Sequence, residues 1–152
     1  MLIPDKIDAP RSPGKRRADV LHLLSTERQL WIASAADDRA HLIPLAFAWD
    51  GTTITMVTRR TSRTVQNLRK SPHARAAIGS PRDVVLIDGP VSFMEPAGAP
   101  PALLALFATL PLNPEKVPGA IGVHLLPRRS MAWRGLAEIG DRTIMADGHW
   151  RG

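Results

Sequence analysis

A β-hairpin near the middle of the sequence places the tightest constraint on the fold. An apolar run over residues 41–49 and a run rich in threonine, isoleucine and valine over residues 52–58 flank the dipeptide Asp50-Gly51. Asp-Gly between two such runs is a strong signal for a β-hairpin. The two runs are therefore predicted to pair as antiparallel strands.

The remaining segments extend this pair into a larger sheet. Further strands are predicted at residues 30–35, 74–79, 84–93, 120–126, 130–136 and 142–145, and helices at residues 17–25 and 62–71. A third helix opens at Pro100-Pro101. Residues 84–93 are so apolar that burial on both faces is expected. Strands and helices do not alternate regularly, so we expect a mainly β fold, an antiparallel barrel with peripheral helices.

Length and composition favour one globular domain. The chain has 152 residues, of which 44% are hydrophobic and 22% charged, values typical of a folded domain. Residues 1–15 are predicted to be an N-terminal arm and residues 16–152 a single domain. No cysteine and no apolar run long enough for a membrane helix is present. The first residues lack an apolar signal-peptide core, so we expect a soluble protein in the cytoplasm.

The net charge of +6 favours an anionic partner, although a GC-rich genome would also raise the arginine content. Positive residues are concentrated in the middle of the chain, at Arg59, Arg60, Arg63, Arg69 and Lys70. That placement indicates a localised anion, such as a phosphate, more than a long polyanion. Nucleic acid is not expected as a partner, because the chain has no tyrosine and only three phenylalanines for base stacking.

The turn before the second helix has the composition of a phosphate site. It holds three arginines and four hydroxyl side chains within seven residues: Thr58, Arg59, Arg60, Thr61, Ser62, Arg63 and Thr64. A helix N-terminus offers unpaired N–H groups to an anion, and arginine adds charge-assisted hydrogen bonds. An ordinary helix cap with solvated arginines is the alternative, but a cap needs only one hydroxyl.

The first strand of the hairpin carries small side chains on one face. His41, Ile43, Leu45, Phe47 and Trp49 share one face, and the opposite face carries Leu42, Pro44, Ala46 and Ala48. Because proline cannot donate a ladder hydrogen bond, pairing is expected to be interrupted at Pro44, which would free backbone groups to face a flat ligand. A helix packed on the small-residue face, or a barrel corner, is the alternative.

In their order and spacing these motifs resemble the split-barrel family of pyridoxamine 5'-phosphate oxidase-like proteins, which includes flavin- and F-420-dependent reductases. The resemblance covers roughly residues 27–135 and rests on AHLIPLAFAWDG, ITMVTRRTSRTVQNLRKSPHARAAI, DVVLIDGPVSF and LLPRRSMAWRG. It implies a six-stranded antiparallel split barrel of the FMN-binding type. It also implies a homodimer with two cofactor sites at the subunit interface.

The resemblance further implies which residues hold FMN or the deazaflavin F-420. The strand around Pro44, Leu45 and Ala46 would present its backbone to the ring, with His41 nearby. The phosphate would be held by Thr58, Arg59, Arg60, Ser62, Arg63 and Thr64, and Trp133 of the partner subunit would cover the site. Thr64 stands where pyridoxamine phosphate oxidases usually carry lysine, so oxidation of vitamin B6 is not expected.

The expected function is that of an FMN- or F-420-dependent oxidoreductase that transfers hydride to or from a small organic substrate. Such a cofactor carries the reaction itself, so no catalytic residue is assigned. No metal is expected, because metal-ligand spacing is absent at His22, His73, His124 and His149. Two alternatives on the same fold are a non-catalytic cofactor carrier and a haem-binding protein with His41 or His124 as axial ligand.

Overall fold

The computed structural model describes residues 9–152, which form nine strands and four helices. The strands are β1 Gln29–Ala36, β2 Arg39–Trp49, β3 Ile54–Arg59, β4 His73–Ile78, β5 Val84–Met94, β6 Ala120–Leu125, β7 Arg129–Trp133, β8 Thr143–Ala146 and β9 His149–Trp150. The helices are α1 Pro13–Thr26, α2 Arg63–Lys70, α3 Pro101–Ala108 and α4 Gly135–Ile139. Within residues 9–152, none of these helices combines the length and the apolar character that crossing a bilayer requires.

Six strands close into an antiparallel barrel. Their order is β4-β1-β2-β3-β6-β5, and pairing between β4 and β5 completes the ring. The strands β7, β8 and β9 continue the sheet outward from β5 and are also antiparallel. This architecture confirms the mainly β fold and the six-stranded barrel predicted from the sequence.

The long strand β5 belongs to both parts of the sheet. Its residues 84–88 pair with β7, whereas its residues 91–94 pair with β6. The exchange of partners occurs at Gly89, where a Cβ atom would collide with the carbonyl oxygen of Leu126. Because only glycine permits that approach, Gly89 marks a corner of the barrel.

Two hydrophobic clusters stabilise the barrel. The larger one includes inward side chains of the six barrel strands together with Val20 and Leu24 of α1. The smaller one joins α3 to β3 and β6 through Leu103 and Phe107. The Phe107 ring is fully buried against Gly122, where a Cβ atom would lie 2.7 Å from the ring. The helix therefore packs directly on the backbone of β6.

The predicted N-terminal arm of residues 1–15 lies largely outside the described residues. The first helix begins at Pro13, four residues earlier than the predicted start at residue 17. Its start is set by Ser12, whose Oγ accepts a hydrogen bond from the Lys15 N–H at 3.1 Å. Pro13 follows at the first helical position, where its missing N–H costs no intrahelical bond.

Two predictions for strands are wrong. The strand β5 is not buried on both faces: Val85 and Ile87 are buried, whereas Val84 and Leu86 are partly exposed, as is usual for an antiparallel strand with one outer face. The strand predicted over residues 130–136 ends at Trp133, because the backbone turns at Gly135 with φ of 61° and continues as α4. The two-residue strand β9 was not predicted.

A buried carboxylate ties the N-terminal segment to α4. Glu138 is 3% exposed and accepts hydrogen bonds from the Arg11 N–H at 2.8 Å, the Arg11 guanidinium at 2.7 Å and the Arg134 N–H at 2.7 Å. The hydrogen bond from the Arg11 side chain is the main cause that lowers the pKa of Glu138 from 4.5 to about 2. The ionised pair therefore holds the start of α1 and the end of the sheet together at neutral pH.

We predict that Glu138→Gln lowers the free energy of unfolding by about 3 kcal/mol at neutral pH, because Arg11 loses its charged partner in a buried position. The carboxylate stabilises the fold above its unfolded pKa, and that contribution is lost as the pH falls from 4.5 toward about 2. Urea denaturation of wild type and variant at neutral pH and near pH 3 measures the difference. The difference in unfolding free energy between wild type and variant should be smaller near pH 3 than at neutral pH. An equal difference at the two pH values would contradict the ion pair.

Candidate functional site

The barrel is split between β2 and β3. The strand β2 pairs with β1 from Arg39 to Ala46, but it pairs with β3 only at Phe47, Ala48 and Trp49. Across the gap, residues 57–59 of β3 pair with β6 alone. Two strands thus diverge where a closed barrel would continue its ladder, and the gap offers strand-edge backbone groups to a ligand.

Pro44 lies on the open edge of β2. The Phe47 N–H donates to the Arg28 carbonyl at 3.0 Å, on the β1 side. Because backbone groups alternate sides along a strand, those of Pro44 and Ala46 face the gap. The missing N–H of Pro44 therefore costs no bond to β1, and Pro44 remains paired with Trp31. The predicted interruption is wrong for the β1 side; pairing is absent only on the β3 side.

A cleft of about 460 Å³ occupies the gap. Its lining comes from β1, β2, β3, the turn before α2 and the segment after α3: Gln29, Pro44, Leu45, Ala46, Val57, Thr58, Arg59, Thr61, Ser62, Leu110, Pro111 and Leu112. The residues of the predicted cofactor site that meet here are Pro44, Leu45, Ala46, Thr58, Arg59 and Ser62. The strand segment and the phosphate turn, predicted separately, are thus opposite walls of one cleft.

The N-terminus of α2 lies at the end of the cleft formed by Thr61 and Ser62. Ser62 caps the helix as predicted, because its Oγ accepts a hydrogen bond from the Val65 N–H at 3.2 Å. The next N–H, of Gln66, bonds to the Ser62 carbonyl. The N–H groups of the first two helical residues have no hydrogen-bond partner within residues 9–152. Such donors at the positive end of a helix dipole attract anions.

The side chains of the turn differ in their availability. Arg60 makes a two-bond ion pair with the Glu95 carboxylate, which lowers the pKa of Glu95, and does not line the cleft. Thr64 is 1% exposed, and its buried Oγ1 has no hydrogen-bond partner among residues 9–152. Arg59 is exposed, lines the cleft and makes no ion pair in the described part of the chain. Arg59 is therefore the arginine of the turn that the fold leaves free at the cleft.

A second cavity of about 430 Å³ lies between the β1–β2 hairpin and α2 and shares no lining residue with the cleft. Two residues predicted for the cofactor site, His41 and Arg63, line this cavity instead. The Lys70 ammonium lies 2.7 Å from the Asp37 carboxylate and is the main cause that lowers the pKa of Asp37. Arg63 makes no ion pair among residues 9–152, so this cavity is also bordered by a free cation.

Trp133 lies outside both cavities. It ends β7 opposite Val84, and the Arg142 guanidinium lies 5.7 Å from its ring centre. A role for Trp133 at the cleft would therefore require a second subunit. His124, the other candidate haem ligand, lies on β6 opposite Thr55 and lines neither cavity. Burial lowers its pKa.

The small-residue face of β2 is divided between two surroundings. Ala46 and Ala48 pack against the cluster around α3, which confirms for them the alternative of a helix on this face. Leu42 and Pro44 remain exposed. Sequence reasoning missed the part of the lining that follows α3, at residues 110–112, and also Gln29 and Val57. Leu110 alone gave a signal, because it falls at helical spacing after Leu103, Leu106 and Phe107.

The fold is an antiparallel split barrel with a cleft at the split. Residues 17–111 match the family model described as pyridoxamine 5'-phosphate oxidase. Because this match covers more than half of the chain, the protein belongs to the pyridoxamine 5'-phosphate oxidase family, and the relationship predicted from the sequence is confirmed. A comparison with curated proteins gives no match.

Solved structures show the same fold at low identity. The conserved hypothetical protein Rv2991 from Mycobacterium tuberculosis is 19% identical, with a TM-score of 0.66 over 87% of this chain and 90% of that chain. A pyridoxamine 5'-phosphate oxidase-related, FMN-binding protein from Nostoc punctiforme is 17% identical, with a TM-score of 0.61 over 93% and 88%. An F420 reductase is 19% identical, with a TM-score of 0.58 over 72% and 93%.

We predict that Ser62→Ala lowers the free energy of unfolding by about 1 kcal/mol, because the Val65 N–H loses the oxygen that caps it. Thr61→Ala is the matched control, since Thr61 is exposed and its hydroxyl makes no hydrogen bond in the described part of the chain. Chemical denaturation of both variants measures the effect. Equal losses would show that the cap does not stabilise α2.

Proposed function

We propose that the protein is an oxidoreductase that binds FMN or F-420 in the cleft between β2 and β3. In this proposal it transfers hydride between the cofactor and a small organic substrate. One observation carries the proposal: the split in the barrel gathers an open strand edge, the N-terminus of α2 and the free Arg59 around a single cleft. Membership of the pyridoxamine 5'-phosphate oxidase family supports the same reading.

The polar end of the cleft fits a phosphate. Ser62 and Thr58 bring hydroxyl groups, Arg59 brings a charge without an acidic partner, and the start of α2 brings unpaired N–H groups. A phosphate dianion accepts several hydrogen bonds at once and gains most from donors that have lost their water without finding a protein partner. Arg60 contributes less, because Glu95 already neutralises it.

The other end of the cleft fits a flat ring. Pro44, Ala46, Val57 and Pro111 give it short or rigid apolar walls, and a volume of about 460 Å³ lies in the range of small-molecule sites. The backbone edge of β2 can bond the polar rim of the ring while these side chains exclude water. When bound, FMN or F-420 supplies the hydride chemistry, and the protein supplies its placement.

The choice between FMN and F-420 stays open in this proposal. The names of two structures with the same fold state FMN binding in one case and F420 reductase in the other, which supports a flavin-type cofactor in general. The visible spectrum of the freshly purified protein, with whatever cofactor it retains, decides between them. We expect bands near about 370 and 450 nm for FMN and near about 420 nm for F-420, with small shifts imposed by the protein.

We also propose that two copies pair through the outer face of the barrel. Trp31 and Leu42 are 49% and 58% exposed, and the register places Pro44, Trp31, Ala77 and Leu86 side by side across β2, β1, β4 and β5. An apolar row of this kind is typical of a subunit interface. It meets the cleft at Pro44, so a second copy would cover the open side of the cofactor site. The proposal assigns that cover to Trp133 of the partner subunit and keeps the cytoplasmic location predicted from the sequence.

We predict that Arg59→Ala weakens cofactor binding by about 1.5–3 kcal/mol, because the phosphate loses a hydrogen bond to a charged group. Fluorescence titration with FMN and with F-420 measures the dissociation constants. Arg60→Ala is the matched control on the neighbouring residue, since Arg60 is paired with Glu95 and lies off the cleft.

The two variants should separate clearly. If Arg60→Ala weakens binding as much as Arg59→Ala does, net charge rather than a phosphate site explains the effect. If neither FMN nor F-420 binds the wild-type protein at micromolar concentration, the proposed function is wrong. Binding without turnover for any donor and acceptor pair would favour the alternative of a cofactor carrier.

We predict that Leu42→Asp shifts a dimer to monomers and lowers cofactor affinity, because it places a charge on the same face of β2 as Pro44, next to the apolar row. Leu136→Asp is the control, since Leu136 is 75% exposed on α4, away from that row. Sedimentation velocity measures the subunit count. A wild-type protein that sediments as a monomer, or an unchanged dimer in Leu42→Asp, would contradict the proposed interface.

A further inference from the structure

A groove of about 850 Å³ opens from the proposed cofactor cleft. It runs between the end of α1, the last residues of β2 and the end of α3. The two spaces share four lining residues, Gln29, Ala46, Leu110 and Pro111. The cleft and the groove therefore adjoin at Ala46, on opposite edges of β2.

The floor of the groove is a second open edge of β2. The strand β1 begins at Gln29, opposite Ala46, so β2 has no strand beside it on that side at Phe47, Ala48 and Trp49. The Phe47 N–H is taken by the Arg28 carbonyl. The Phe47 carbonyl and the Trp49 N–H point to the same side, because backbone groups alternate along a strand. Neither has a hydrogen-bond partner in the described part of the chain.

The groove has an apolar wall and a polar wall, and the polar wall includes Glu27, Arg28 and Gln29, where β1 begins. Leu24, Phe47, Ala48, Trp49 and Leu106 contribute to the lining. Its hydroxyl groups are already engaged within the helices: Ser25 and Thr26 donate to the carbonyls four residues before them, and Thr109 donates to the Leu106 carbonyl. Along residues 47–49, between the polar wall and α3, the polar groups that remain are those of the β2 backbone. An acceptor and a donor lie there two residues apart.

We propose that this groove is the substrate site and takes a planar, mainly apolar molecule that carries a neighbouring N–H and C=O, as in a lactam or carboxamide. The N–H of such a molecule would donate to the Phe47 carbonyl, and its C=O would accept from the Trp49 N–H. Its apolar body would lie between Leu106 and the end of α1 and reach toward Ala46. The proposal rests on the proposed function, because the cofactor in the adjoining cleft makes the groove a reaction site.

Quinolin-2(1H)-one, a planar bicyclic lactam, is the probe, and naphthalene, which has the same shape without the polar pair, is its control. Titration followed by amide NMR gives both the dissociation constant and the position of the probe. We expect the lactam to bind at least about tenfold more tightly than naphthalene, the scale of one hydrogen-bonded pair. The amide resonance of Trp49 should shift most.

Thr109→Trp should fill the groove and weaken lactam binding by at least about tenfold, without changing the dissociation constant of the cofactor. Ala105→Trp is the matched control, because Ala105 is exposed on the same helix and does not line the groove. Ser25→Trp on the opposite wall repeats the test if Thr109→Trp does not fold. Thr109→Trp and Ser25→Trp should weaken lactam binding to a similar extent.

Three results would overturn the substrate site: no saturable binding of the lactam, an unshifted Trp49 resonance, or equal weakening by Ala105→Trp. A dimer that buries the groove, seen as protection of the groove amides from exchange, would overturn it as well. Cofactor binding is measured on the same samples. If the cofactor binds and the lactam does not, only the groove assignment fails; if the cofactor does not bind, the proposed function fails.

Discussion

The interrupted ladder between β2 and β3 is the feature on which the rest of the site depends. A barrel normally satisfies the backbone groups of every strand by closing on itself. Here β4 and β5 close the ring, while β2 and β3 separate after three paired residues. The freed backbone N–H and C=O groups need hydrogen-bond partners, from water or from a ligand. The cleft at the split, and the groove where β1 begins, are where a ligand can take the place of the missing strand.

The arginines fall into two groups, those in ion pairs that stabilise the fold and those without an acidic partner near the cavities. Several arginines serve the fold: Arg11 is held by Glu138, Arg60 by Glu95 and Arg75 by Asp88. Other arginines around the start of α2, Arg59 and Arg63, make no ion pair within residues 9–152. The net charge of +6 by itself therefore does not show where an anion would bind. The cations that lack acidic partners are the informative ones, and two of them stand at the positive end of one helix.

The parts of the fold and site that could be predicted from the sequence are those with local causes. The hairpin follows from Asp50-Gly51, the cap of α2 from Ser62, and the family from motifs that keep their order along the chain. Other parts depend on contacts between distant residues. Glu95 pairs with Arg60 and leaves Arg59 free. This pairing joins residues 35 positions apart in the sequence, so local sequence does not reveal it. Likewise, residues 110–112 line the cleft because they follow α3, which packs on β3 and β6 through contacts such as that of Phe107 with Gly122.

In a site made largely from backbone, the groups that would bind the cofactor are different from the side chains that would select the substrate. The strand edges and the start of α2 keep their hydrogen-bonding groups whatever side chains the surface carries, so they suit the constant parts of a cofactor. The walls that vary most easily are the end of α1 and the segment from α3 to residue 112, because both lie outside the barrel ladder. Substitution there changes the width of the groove without breaking a strand pair. In the proposed function, the barrel holds the cofactor and the two flanking segments set which substrate reaches it.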